Sequence, residues 1–214
     1  MRGDLAQTAL NAHELSRFAH EQDLPYWRGF GLFLEGVARA ESGPLGGGLE
    51  DMRHGVELLR EQKALYFDGL LKIALAEAEA RAGDVDRALA ILDEALATSE
   101  RIGNRAFEAE LHRVRGEMLL RRNPAEPVPA EEALRSAIAV AQRQVTRSFE
   151  LRAALALAKL YRATGRPADA HAVLVLALKG FAPTPAMPEI AAAQALLAAL
   201  SDRRGEGQTQ PFLV

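Results

Sequence analysis

Apolar residues along this chain recur three and four positions apart, with polar residues filling the gaps, which is the period of helices packed on one face. In GDVDRALAILDEAL (83–96), Ala88, Leu92 and Ala95 fall on one helical face after a Gly83-Asp84 turn. Leu75 and Ala76 supply the matching face of the helix before it. The pattern predicts helices at about 3–22, 25–42, 47–62, 64–82, 85–102, 105–122, 130–144, 147–164, 167–181 and 188–202. In the leading helix, Leu5, Leu15, Phe18 and Ala19 form the expected inward face. Pro25 opens its helix where proline is tolerated, Gly103-Asn104 marks the clearest stop, and Thr146 reads as the cap of the next start.

Two other stretches read as breaks. SGPLGGG (42–48) is glycine-rich and precedes a helix, but no lysine follows it and no strand precedes it. It reads as a turn, not a phosphate cradle. Pro183, Pro185 and Pro188 interrupt the chain before a last helix, EIAAAQALLAAL, whose apolar face is expected to cover the open end of the stack. Residues 203–214 read as a polar, mobile tail.

Alanine and leucine dominate the 214 residues and β-branched side chains are sparse, so composition also favours helix. The net charge of −3 provides no electrostatic basis for binding nucleic acid or an anionic membrane. With no cysteine there is no disulfide, thiol nucleophile or thiolate metal site. No apolar run has signal-peptide or membrane-span length, so a cytoplasmic protein is expected.

Small residues repeat at fixed offsets. Counting from Ala76, positions +12 and +19 are Ala88 and Ala95; from Gly36 they are Gly48 and Gly55; from Ala158 they are Ala170 and Ala177. A further copy runs Gly116, Ala130, Ala137, with two extra residues in its turn, and the copies recur at intervals of 40, 40 and 42 residues. A mid-helix glycine costs about 1 kcal/mol relative to alanine, so Gly36, Gly55 and Gly116 point to close helix packing as compensation. The order of these positions, with Leu157, Tyr161, Gly165 and Leu174 in the last copy, resembles the tetratricopeptide repeat, with a period longer than its usual length. The resemblance implies an all-α, right-handed α-solenoid over 1–202. It would hold a leading half-repeat (3–22), repeats at about 25–62, 64–102, 105–144 and 147–181, and a capping helix at about 188–202.

Three strings are more particular: PYWRGFGLFLEG (25–36), FEAELHRVRGEMLL (107–120) and SFELRAALALAKLYRATGR (148–166). Together they resemble the C-terminal repeat region of bacterial proteins that join an adenylate/guanylate-cyclase domain, an AAA-type ATPase domain and tetratricopeptide repeats. The resemblance implies a signalling or transcriptional-regulator context. A cyclase needs metal-binding carboxylates on a mixed sheet and an ATPase needs a Walker loop, and neither can be placed on this sequence. The expected function is therefore a non-catalytic interaction or regulatory scaffold without cofactor or metal, any cyclase or ATPase activity residing in another domain.

In that fold, offsets −6, −3, +1 and +4 from the small residue of each first helix point into a groove. They are Phe30, Phe33, Val37 and Ala40; Leu70, Ile73, Glu77 and Ala80; Glu110, Arg113, Glu117 and Leu120; and Arg152, Leu155, Lys159 and Arg162. The lining passes from apolar to charged to basic, so a protein or peptide partner with an apolar anchor and acidic residues would complement it. Glu110, Arg113 and Glu117 lie at i, i+3 and i+7, which lets Arg113 pair with either carboxylate while Arg152 joins from the next helix. Flanking arginines hold carboxylates ionised, the wrong state for a general acid. His13, His20, His54, His112 and His171 have no metal-ligand spacing. Tyr26, Trp27 and Phe30 cluster at a helix start and read as packing before a ligand cage. A small-molecule-sensing domain, the alternative, would need a closed apolar pocket near Phe30, Phe33 and Tyr66. A homo-oligomer would meet through the leading or the final helix.

Overall fold

The computed structural model describes residues 5–43, 45–63, 65–182 and 187–206. Among these residues the fold is all-helical, with ten helices and no strand. The chain divides into two compact units, the first ending at Phe107 and the second starting at Glu108.

The first unit contains α1 (Leu5–Glu21), α2 (Pro25–Ser42), α3 (Leu45–Glu61), α4 (Asp68–Arg81) and α5 (Val85–Ile102). Each helix packs against the next. Proline at the start of α2 has its φ preset for a helix and lacks an N–H that would have no partner there. Asp84 caps α5, its Oδ1 accepting from the Arg87 N–H at 2.9 Å. Gly83, at φ 98, makes the preceding turn in a conformation that side chains resist.

At the α2–α3 crossing the two helices approach closely. A Cβ placed on Gly48 would lie 2.5 Å from the Ala40 N and 2.5 Å from the Gly36 O, and one on Gly55 would lie 2.7 Å from the Gly29 O. Backbone therefore touches backbone along this crossing, which is what the glycine offsets imply. It also corrects the reading of 42–48: Gly46, Gly47 and Gly48 belong to the first turn of α3, and Pro44 lies outside the described residues. Phe33 and Met52, each 1% exposed, fill the core beside Leu59, Leu71 and Leu75. Burial at such sites contributes about 1.5–3 kcal/mol per large side chain.

In α1 the expected inward face needs one correction. Ala19 is fully buried and Leu15 half-buried, but Phe18 is 54% exposed. Ala12, at 1% exposure, takes the inward place with Ala19, since alanine admits the α2 backbone where a ring would not fit.

The second unit contains α6 (Glu108–Arg122), α7 (Val128–Arg143), α8 (Arg147–Ala163), α9 (Pro167–Leu178) and α10 (Pro188–Glu206). Consecutive helices pack, and α8 also touches α6 and α10. Ala130, Ala137, Ala158 and Ala170 are all fully buried, and a Cβ on Gly116 would lie 2.8 Å from the Leu134 Cγ, so this unit too packs through its small residues. Thr146 precedes α8 without capping it; its Oγ1 donates to the Ala141 O at 3.3 Å instead. Arg147 closes the end of α9, its Nη2 donating to the Ala177 O at 3.0 Å and the Lys179 O at 2.6 Å. On α10, Ile190, Ala193, Leu196 and Leu200 are the buried face. That helix runs to Glu206, past the predicted end at 202. Pro183, Pro185 and the remainder of the expected tail lie outside the described residues.

Candidate functional site

The first two turns of α2 and the segment before α4 bring five rings together. Trp27 meets Tyr26 edge-on at 4.9 Å and Phe30 edge-on at 6.2 Å. Phe30 touches Phe67 at 6.2 Å, and Phe67 meets Tyr66 edge-on at 4.8 Å. Perpendicular rings place a positive edge on a negative face, a geometry worth about 0.5–1.5 kcal/mol per pair beyond burial. The Asn104 side chain fixes the segment, its Nδ2 donating to the Tyr66 O at 2.7 Å.

This cluster is only half covered. Trp27 is 44% exposed and Tyr66 is 71% exposed, while Tyr26, Phe30 and Phe67 are half-buried. Half-buried Leu34 and Val37 extend the apolar stripe along α2, and Leu70 continues it on α4. Its far end carries ions: Arg81 Nη1 pairs with Glu41 Oε1 between α4 and α2, and Glu77 is exposed. Of the residues expected to line a groove here, Phe30, Val37, Leu70 and Glu77 reach the surface. Phe33 and Ile73 do not; both point into the core. A Cβ on Gly55 would lie 2.8 Å from the Phe33 N and 2.9 Å from the Phe33 Cβ, so glycine there lets α3 approach the α2 backbone at Phe33. Of the residues named for a closed apolar pocket, Phe30 is half-buried, Phe33 is 1% exposed and Tyr66 is 71% exposed.

In the second unit the charged residues meet as their spacing implies. Arg113 pairs with Glu110 at 3.1 Å and with Glu117 at 2.8 Å, and Arg152 of α8 reaches the same Glu110 at 3.0 Å. Glu110 and Arg113 are buried. Burial acts against the Arg113 charge, yet the Glu117 and Glu110 carboxylates outweigh it and raise its pKa. Both carboxylates thus face guanidinium groups, an arrangement that ties α6 to α8. Lys159 and Arg162 follow on α8, both exposed.

Other ionic clusters bind helices together, joining local i,i+4 pairs to partners far apart in sequence. Glu79 on α4 is fully buried; Arg53 of α3 grips it through two hydrogen bonds at 2.8 and 2.7 Å, and Arg87 of α5 adds a contact at 2.9 Å. Buried Lys72 lies 3.3 Å from Asp68 and 3.0 Å from Glu94. On α7, Glu131 accepts from Tyr161 at 3.0 Å and pairs with Arg135 at 2.8 Å and Arg166 at 2.7 Å. The Arg166 guanidinium lies over the Tyr161 ring at 4.1 Å. A cleft of about 310 Å³ between α1 and α2 is lined by Ala9, His13, Glu35, Ala38, Arg39 and Ser42. His13 lies 3.4 Å from Glu35, and Arg39 lies 2.6 Å from Asp51.

Among the described residues, no three histidine or carboxylate side chains gather as a metal site, and no helix is long and apolar enough to cross a membrane. Compared with known families and curated proteins, the chain matches no family model and no curated protein.

Proposed function

We propose that this chain is a non-catalytic protein-interaction and regulatory scaffold. The observation that carries the reading is the half-covered ring cluster of the first unit. Tryptophan and tyrosine held rigidly at a surface bury a large area on contact while losing little side-chain freedom, which is why such residues dominate binding hot spots. A solvated face with no partner has little reason to keep five rings together.

The finer architecture belongs to the same proposal. Small residues at +12 and +19, and helices packing in chain order within each unit, support a right-handed solenoid of tetratricopeptide-like repeats. The three strings PYWRGFGLFLEG, FEAELHRVRGEMLL and SFELRAALALAKLYRATGR support a place beside cyclase and ATPase domains, as the repeat arm or a detached homologue of such a signalling protein. On this reading the chain turns over no nucleotide by itself.

Affinity capture tests the reading. A protein retained by the wild-type chain should be lost by Trp27→Ala/Tyr66→Ala, with helicity by circular dichroism unchanged. Retention of every captured protein by that variant would contradict it. Incubation with ATP and magnesium should yield neither cyclic AMP nor free phosphate; either product would contradict the non-catalytic part.

A further inference from the structure

We propose that the exposed face of α8 docks an acidic peptide segment of a partner protein, its carboxylates set against Lys159 and Arg162. This goes beyond the ring-cluster reading, because it assigns a surface in the second unit and the chemistry of what binds there. Lys159 and Arg162 are both exposed, and their i, i+3 spacing puts them on one helical face with Cβ atoms about 5–6 Å apart. Among the described residues neither forms an ion pair, nor does the exposed Arg121 at the end of α6. Glu150, the one carboxylate on α8, is buried against Arg147.

These cations differ from those that hold the helices together. Arg113 is shared by Glu110 and Glu117, and Arg152 reaches Glu110. Short turns join α7 to α6 and to α8, and it packs against both, so α6 and α8 run in the same direction with Glu110 and Arg152 setting their register. Arg121, eleven residues past Glu110, and Arg162, ten past Arg152, therefore lie at the same end of the pair. Cations gathered without a counter-charge favour an occupant of the opposite sign. The chain as a whole carries −3, so an extended polyanion such as a nucleic-acid duplex or an anionic bilayer is repelled at long range. A short acidic segment lies within the screening length of about 8 Å and meets the local cations first.

Fluorescence anisotropy of a labelled oligoglutamate peptide, titrated with the full chain, tests the assignment. Binding should weaken about fivefold or more between about 0.05 and 0.2 M salt, because salt screens exposed charges. Lys159→Glu/Arg162→Glu should weaken it about tenfold or more, and the neutral Lys159→Gln/Arg162→Gln about threefold or more, all at exposed positions. Arg143→Glu/Lys179→Glu makes the same change in net charge at two other exposed cations of the second unit and should leave affinity within about twofold.

Equal losses in the two charge-reversal variants would overturn the proposal, since net charge alone would then explain the binding. No binding of oligoglutamate by the wild-type chain would overturn it too, as would tighter binding of a DNA duplex or of phosphatidylserine vesicles. Affinity capture through Trp27 and Tyr66 is a separate readout, so any of these failures leaves the scaffold reading standing.

Discussion

Arg152 on α8 reaches the buried Glu110 on α6 at 3.0 Å, giving a carboxylate already held by Arg113 a second cation from a neighbouring helix. Buried pairs of this kind contribute little net stability against apolar replacements, yet breaking one is strongly destabilising. Arg113→Met should therefore lower unfolding stability by less than the about 3–5 kcal/mol of a wholly unpaired buried charge, because Arg152 still faces Glu110, whereas Glu110→Leu with Arg113→Met should be near neutral. Urea unfolding followed by circular dichroism checks both, and a harmless single change would remove the network as a link between these helices.

The glycines of the α2–α3 crossing make a contrasting pair of predictions. A Cβ at Gly48 meets backbone at 2.5 Å, whereas at Gly46 nothing lies within 4 Å. Gly48→Ala should lower stability by about 1–3 kcal/mol through overpacking. Gly46→Ala should raise it by up to about 1 kcal/mol, because alanine loses less backbone freedom on folding. Thermal unfolding of the two variants separates them by the sign of the shift.

Acid sensitivity follows from two groups in the second unit. Burial pushes the Glu131 pKa up, but hydrogen bonds from Arg135, Tyr161 and Arg166 win and hold it below the ordinary 4.5. Its stabilisation is present above that value and lost as pH falls through the folded pKa. Burial holds His112 below its ordinary 6.5; Arg115 and Arg143 add to this against the opposing charge of Glu108. Below pH 6.5 the unfolded chain binds this proton first, so folding weakens as pH falls toward the lower folded pKa. Glu131→Gln should flatten the loss of stability below pH 4.5, and His112→Gln the loss below pH 6.5. Unaltered slopes in stability measured against pH would contradict these assignments.

Much of the fold was legible because its signals are local. The helix expected at 25–42 is found as Pro25–Ser42, and that expected at 85–102 as Val85–Ile102, each bounded by proline, glycine or aspartate at its turns. Glu110, Arg113 and Glu117 were legible for the same reason, since helical spacing alone places them on one face. Phe18, Phe33 and Ile73 were not. Offsets along one helix cannot say which side a neighbour will cover, and Phe33 is enclosed because glycine at position 55 lets α3 approach the α2 backbone beside it. The Arg53–Glu79–Arg87 clamp and the joining of Phe30 to Phe67 escaped for a related reason: they link residues far apart in sequence, and no local period encodes them.

The central claim is that the first unit meets its partner through the rings around Trp27 and Tyr66. Hydrogen–deuterium exchange of the chain with and without a captured partner tests it. Slowed exchange is expected at residues 26–30 and 65–70 in the complex. Protection confined to other helices, with these two stretches exchanging as in the free chain, would contradict it.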